Sequence, residues 1–432
     1  MLDINFIKAN LVKVKTDTQN KNIKIDFDEF LKLDHQKREA QSKLDNLRAK
    51  KNELAEKMSK ERSPEMIEQG KKVKEEIADL EKKFSEIESQ LEKIVLAIPN
   101  VVAEDVIVGK DESENKVLRK WGEPTQFKFK PKDHIELGKE LNLIDVEKSA
   151  QISGARFYYL KNEAVAMQFA IVKFVFDILS DQKLISKLAK KVGNPFNKPF
   201  SMILPPVMVK PQIMKKMDRL DPIEERYYIP SDDLVLVGSA EHSIGPLHMN
   251  EIIDIKDLPI RYIGYSTAFR REAGSYGKDT KGILRVHQFD KLEMETYVPQ
   301  EYGQVEQNLI VALQEYMLQK LELPYQVIYN CTGDMGKPDY RQVDMECWIP
   351  SQDRYRETHT SDYVTDYQAR RLNTKYKDEN GEKKFVYMND ATAFGISRIL
   401  IAILENNQTD KGTVKIPKVL QGYVGKREIK KA

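Results

Sequence analysis

Arg270 ends a run of strand-forming residues, Tyr262–Phe269, and opens a loop, Arg271-Glu272-Ala273-Gly274-Ser275-Tyr276-Gly277-Lys278, that leads into a second strand-like stretch, Ile283–Tyr297. The pattern predicts a strand, a glycine-containing loop and a returning strand. A guanidinium at the end of a rigid strand grips a phosphate in a fixed orientation, and the loop glycines with Lys278 suit a cover over a nucleotide. On spacing alone, an ordinary long hairpin explains the segment equally well. Glu357 and Thr360 stand together in RETHT (356–360). A carboxylate beside a hydroxyl offers the oxygen donors that Mg2+ prefers, and a salt-bridged glutamate is the competing reading. Arg398, taken singly, is one more surface cation.

The wording around these residues is more specific. FRREAGSYGKDTKGILRVHQFDKLEME (269–295) resembles motif 2 of the class II aminoacyl-tRNA synthetases, in the form used by bacterial-type seryl-tRNA synthetases. CTGDM (331–335) and DYQARR (366–371) resemble the same family, and DATAFGISRILIAILENNQ (390–408) resembles motif 3 running into its helix. KPFSMILPPVMV (198–209) stands where motif 1 is expected, although a buried strand ending at a turn reads the same way. SGARFYYL (153–160) resembles the entrance to the family's catalytic domain, so the likeness covers nearly the whole chain.

The resemblance implies an ATP-dependent ligase that activates L-serine to seryl-adenylate and transfers it to tRNA(Ser), with tRNA(Sec) left open as a second acceptor. It implies Arg270 on the α-phosphate and the serine carboxylate, and Arg398 on the γ-phosphate. Arg271, Glu272, Glu357, Thr358, His359 and Thr360 would complete the ATP site, with Glu357 and Thr360 holding Mg2+. Ser239, Ala240, Glu241, Arg270, Glu293 and Thr392 would bind serine. A site whose buried polar groups need the substrate hydroxyl rejects alanine by leaving those groups unpaired. Three segments depart from the family wording: His242-Ser243 after Glu241, Thr358–Tyr363, and Ser397 before Arg398. His242 and His359 have no accompanying cysteine and do not make a zinc set.

Such a site needs a scaffold, and the sequence shows where it begins. From Phe27 to Leu96 charged residues dominate. Phe30, Leu33, Ala40, Leu44, Leu47, Leu54 and Met58, then Val73, Ile77, Leu80, Phe84, Ile87, Leu91 and Ile94, recur at alternating three and four residues, with Lys37 and Lys51 breaking the first run. This is the seam of a coiled coil. Ser63 and Pro64 are a cap and a helix opener between the runs, which predicts an antiparallel hairpin about 50 Å long. Ile98-Pro99-Asn100 ends it. Lys37, Arg38, Lys43, Arg48, Lys50 and Lys51 are candidates for tRNA phosphates. Residues 27–60 carry nine Lys/Arg against seven Asp/Glu, so a solvated face explains them as well.

The expected fold is α+β, a long antiparallel helical arm followed by an antiparallel sheet flanked by helices. The N-terminal tRNA-binding domain is expected over 1–105 with the arm at 27–97, and the catalytic domain over 106–432. Lys110–Lys120 reads as linker, Ala164–Leu179 as a buried helix, and Lys426–Lys431 as a loose basic tail. The net charge of +2 does not announce a nucleic-acid binder. Two cysteines, no signal-like N-terminus and no apolar run of membrane length point to the cytoplasm. The family resemblance adds a homodimer. Two other readings compete: a ligase that loads an amino acid onto a carrier protein, which the hairpin disfavours, and a degenerate RNA-binding paralogue, which the presence of Arg270, Glu357 and Arg398 disfavours.

Overall fold

The computed structural model describes residues 1–61, 63–273 and 281–431. They form two compact units, Met1–Val101 and Val102–Ala432. Lys278 and the loop glycines Gly274 and Gly277 lie outside the described residues.

The first unit carries two 34-residue helices, Phe27–Lys60 and Pro64–Ala97. Asp26 caps the first by accepting from the N–H groups of Asp28 and Glu29. Ser63 caps the second by accepting from Met66, with Pro64 in the first turn, where its missing N–H is no loss. Lys37 pairs with Glu88 and Arg48 with Glu81, each at 2.8 Å, so the helices run antiparallel. Phe30, Leu33, Ala40, Leu44, Val73, Ile77 and Leu91 of the seam are buried, and Leu47, Leu54, Leu80 and Phe84 pack beside Leu44, Val73 and Ile77. Lys37 can occupy a seam slot because its ammonium lies over the Phe84 ring, 5.7 Å from the centroid, on its way to Glu88. Lys43, Lys50 and Lys51 are exposed.

An eight-stranded sheet organises the second unit. Its strands are β1 (Lys116–Trp121), β2 (Ser201–Ile203), β3 (Ile260–Phe269), β4 (Gln288–Val298), β5 (Tyr325–Tyr329), β6 (Arg341–Ile349), β7 (Arg354–Thr365) and β8 (Tyr387–Gly395). Across the sheet the order is β1-β5-β6-β7-β8-β4-β3-β2. All neighbours are antiparallel except β2, which runs parallel to β3. Helices Glu163–Ser180, Gly303–Lys320 and Ile396–Asn406 share one apolar core with the sheet. Gln314, fully buried on the second of these helices, donates to Thr360 O at 2.8 Å and to Thr392 O at 2.7 Å. One amide thus ties the main chains of β7 and β8 where they enter the site.

Four local expectations are corrected. Lys110–Lys120 is not a linker: Lys116–Trp121 is the edge strand β1, exposed at every residue, and its charged side chains blunt the open edge. The motif 2 return strand starts at Gln288 rather than Ile283, because residues 284–286 turn across the cavity described below. The Glu163–Ser180 helix is not buried all round, since Phe169 is 58% exposed and Val165 37%. The C-terminal segment is anchored: Glu428–Ile429 pairs with Val414–Lys415, Ile429 is buried, and Lys426 bonds Glu163. Both cysteines are free and buried.

Candidate active site

A cavity of about 440 Å3 opens on the centre of the sheet. Arg270 just beyond β3, Phe289 and Lys291 of β4, Glu357, Thr358, Thr360 and Asp362 of β7, and Thr392 of β8 line it, with Arg398 from the following helix. Two strand irregularities aim these side chains. Between β6 and β7, Glu346 pairs with Glu357 and Met345 with His359, leaving Thr358 as an extra residue. Three positions apart on an unbroken strand, Glu357 and Thr360 would face opposite sides; the bulge lets both line the cavity. Between β4 and β8, Leu292 pairs with Phe394 and Glu293 with Thr392, so Ala393 is the extra residue and Thr392 turns inward. The Thr360 and Thr392 hydroxyl oxygens are 3.2 Å apart.

One end of the cavity is cationic. Arg270 donates through Nε to Gly238 O at 3.1 Å, and its guanidinium sits 5.4 Å from the Phe289 ring centroid. Arg398 donates through Nη1 to Glu357 Oε1 at 2.7 Å and to Glu357 O at 3.0 Å. The Glu357 side chain is half-exposed to the open cavity; desolvation by the surrounding walls opposes its ionisation, but Arg398 outweighs this and holds the carboxyl below its usual range. Arg285 pairs with Glu272 at 3.1 Å, and Arg226 also lines the wall. Leu284, Val286 and Phe289 supply apolar surface between these charges. Clustered guanidiniums beside an apolar and aromatic wall fit a nucleoside triphosphate. Glu357 and Thr360 supply the oxygen donors that Mg2+ prefers.

The other end is acidic and closely crowded. Carboxylate oxygens of Glu241, Glu293 and Asp390 lie within 4.8 Å of one another, and all three residues are buried. Arg219 bonds Glu241 at 2.9 Å and approaches Asp390 at 3.6 Å, while Lys291 reaches Glu293 at 2.6 Å. Burial works against the charge of Glu241, yet Arg219, His242 and Lys291 together hold its carboxyl well below the usual range. Burial pushes Glu293 up to about 7, against Lys291 and with Glu241 reinforcing the shift. Glu295 and Asp390 are held well above the usual range, chiefly by burial. Two neighbouring acids with such separated protonation states are prepared for different tasks.

Both unusual histidines are accounted for. His242 Nδ1 accepts the Gly238 N–H at 3.1 Å, its Nε2 is 3.4 Å from Glu241, and burial pushes its pKa down to about 4. It is neutral and orients Glu241. His359 points away from the cavity, packing edge-on against Phe394 with Nδ1 2.9 Å from the Thr358 hydroxyl; burial pushes it down to about 3.

The expected residues Arg270, Glu272, Glu357, Thr358, Thr360, Arg398, Glu241 and Thr392 therefore meet in one cavity. Glu293 lies just behind it, linked through Lys291. Ser239 and Ala240 are also behind the wall, both buried, with Ser239 Oγ 3.2 Å from Lys291 Nζ. His359 is removed from the wall by the bulge, and Arg271 is an exposed residue whose backbone N–H bonds Glu225 O. Sequence reasoning missed Arg219, Arg226, Arg285, Lys291, Asp362 and Asp390. Lys291 had a signal, its alternation with Glu293 on one strand face; Arg219 had none, standing far from every motif. On the arm, Lys37, Arg48 and Arg38 are in ion pairs with Glu88, Glu81 and Asp34.

Comparison with known proteins agrees over the full length. Residues 1–102 match the seryl-tRNA synthetase N-terminal domain, and residues 226–407 match the tRNA synthetase class II core domain (G, H, P, S and T). The serine–tRNA ligase of Nitrosopumilus maritimus is 37% identical over 99% of this chain and all of its own. That of Corynebacterium glutamicum is 39% identical over 100% of this chain and 99% of its own. The crystal structure of seryl-tRNA synthetase from Pyrococcus horikoshii, complexed with ATP, superposes with a TM-score of 0.90 at 34% identity, covering both chains completely. With the helical arm and a cavity lined by residues of the motif 2 and motif 3 segments, the chain belongs to the seryl-tRNA synthetases, class II aminoacyl-tRNA ligases.

Proposed function

We propose that the protein is a serine–tRNA ligase that uses ATP to activate L-serine and esterifies it to tRNA(Ser). The observation that carries this reading is one cavity with a guanidinium-rich, part-apolar end and an end holding an ionised Glu241 beside Glu293 and Thr392. Glu241 receives the serine ammonium and Thr392 the hydroxyl, with Glu293 supporting this end from behind the wall through Lys291. The small space between them excludes the extra methyl of threonine. Arg270, between the two ends, meets both the serine carboxylate and the α-phosphate. A carboxylate oxygen attacks the α-phosphorus, the bond to the β-phosphate bridge breaks, and pyrophosphate leaves while seryl-adenylate forms. Arg398 at the γ-phosphate and Arg270 stabilise the developing charge and position the reactants, which is the main work such a reaction asks of a protein. Mg2+, held by Glu357 and Thr360, would neutralise phosphate charge. The terminal ribose hydroxyl of tRNA then attacks the adenylate carbonyl and AMP departs.

The division of labour follows the two units: the first, which carries the arm, reads tRNA, and the second, which carries the cavity, performs the chemistry. Exposed Lys43, Lys50 and Lys51 meet backbone phosphates, and Lys37, Arg38 and Arg48 would exchange their present carboxylates for them. Such contacts suit shape reading of an RNA helix. A homodimer is supported by exposed apolar side chains on neighbouring elements, Val165 and Phe169 of one helix, Met202 of β2 and Leu204 beyond it. The free cysteines, and the lack among the described residues of a helix long and apolar enough to cross a membrane, support a cytoplasmic site of action.

The test is ATP–pyrophosphate exchange with each of the twenty amino acids separately, without tRNA. Exchange with serine alone is expected. Exchange with another amino acid, or with none, overturns the assignment.

A further inference from the structure

Behind the nucleotide end of the cavity, His134 and Glu405 form a pair that is 4% and 0% exposed. Glu405 Oε1 is 2.9 Å from His134 Nδ1 and accepts the His134 backbone N–H at 3.0 Å, while Oε2 accepts the Ser351 N–H at 3.1 Å. Both carboxylate oxygens are therefore committed to local geometry. On the far side of the ring, Nε2 accepts the N–H of Ile283 at 3.3 Å. Because Nε2 accepts, the ring proton belongs on Nδ1, where Glu405 receives it.

The main chain passes this ring very closely. Gly282 has φ +76°, and a Cβ there would lie 2.1 Å from His134 Nε2. Both facts require glycine. Directly after Ile283, residues Leu284, Arg285 and Val286 line the cavity. A second tether acts on the same segment, since Arg398 Nε donates to Leu284 O at 3.4 Å. Arg398 and Glu405 stand seven residues apart on the Ile396–Asn406 helix, two turns along one face. One helix thus fixes adjacent residues, Leu284 directly and Ile283 through His134.

We infer that His134, oriented by Glu405, is a positioning residue for ATP: it sets the path of residues 283–286 and hence the wall against which the nucleotide lies. The inference rests on the ligase reading for the identity of the nucleotide. The serine end is built from Glu241, Glu293 and Thr392 on other elements, so losing the tether should disturb one substrate and spare the other. A histidine that only filled the core would, when replaced, change stability and both substrates together.

The experiment is serine-dependent ATP–pyrophosphate exchange by the full chain, with His134→Asn and His134→Gln. Asparagine places a polar group near Nδ1 and none near Nε2, whereas glutamine carries an acceptor to the Nε2 position. His134→Asn is expected to raise KM for ATP roughly three- to tenfold, the worth of one hydrogen bond. KM for serine should stay within about twofold, and His134→Gln should restore most of the loss. An unchanged ATP KM in folded His134→Asn, a parallel rise in both KM values, or equal behaviour of the two variants overturns the inference. If His134→Asn does not fold, Glu405→Gln carries the same comparison, and the ATP-only shift must appear there. Absence of exchange in the unmodified protein would sink the ligase reading instead, and ATP Kd by calorimetry on the same variants would then decide the role of His134.

Discussion

Replacing Glu293 by glutamine should stabilise the protein in a pH-dependent way. The carboxyl is 1% exposed and titrates at about 7 in the folded protein, against an ordinary value of 4.5. Unfolded, it releases its proton near 4.5; folded, it keeps the proton until about 7. Between those values the native state binds more protons than the unfolded state, so this group's contribution makes stability fall as pH rises, with the full penalty present above 7. Moving the carboxyl from 4.5 to about 7 corresponds to roughly 3 kcal/mol. Glutamine keeps the volume and an acceptor for Lys291 but has no proton to lose. The Tm difference between Glu293→Gln and the parent should be near zero at pH 4.5 and grow to about 4 °C at pH 8, for a unit of roughly 330 residues. Calorimetric scans at half-unit pH steps measure it. A difference that is flat with pH, or one that shrinks as pH rises, would refute the claim that burial holds Glu293 protonated.

Thr392→Val removes a hydroxyl that faces the cavity and keeps the shape, so kcat/KM for serine in the exchange assay should fall about tenfold with KM for ATP unchanged. Arg398→Ala removes a cation from the nucleotide end and leaves Glu357 without its 2.7 Å partner; exchange should fall by about two orders of magnitude with a near-native circular dichroism spectrum. Deleting residues 30–95 should leave exchange intact and abolish tRNA charging, and charging at the parental rate would make the arm a spacer. Phe169→Asp places a charge in the exposed apolar patch, and sedimentation should show a shift from dimer to monomer with a Kd raised at least about tenfold.

How much of this was legible beforehand depended on how local the cause was. The hairpin was readable because a seven-residue seam, a serine cap and a helix-opening proline are all written within consecutive residues, and the structure has its helix break at Ser63-Pro64. Arg270 and Arg398 were readable because long, specific wording surrounds each. Strand β1 was not, since an exposed edge strand shows no apolar alternation and reads as polar loop. His359 was misplaced on the cavity wall because a bulge reverses strand alternation, and nothing in RETHT announces the extra residue.

The sequence by itself determined the arm, the α+β order of elements and the identity of the chemistry, because these depend on periodicity, caps and motif wording. Only the tertiary structure decided the electrostatics. Glu241 and Glu293 are both glutamates, yet Arg219 holds one ionised while burial pushes the other up to about 7. That difference depends on which distant charges arrive within a few ångströms and how much water is excluded. Arg219 comes from a segment with no motif, and His134 reaches Ile283 across 149 positions. Sequence spacing cannot encode a distance that exists only after the sheet has brought such residues together.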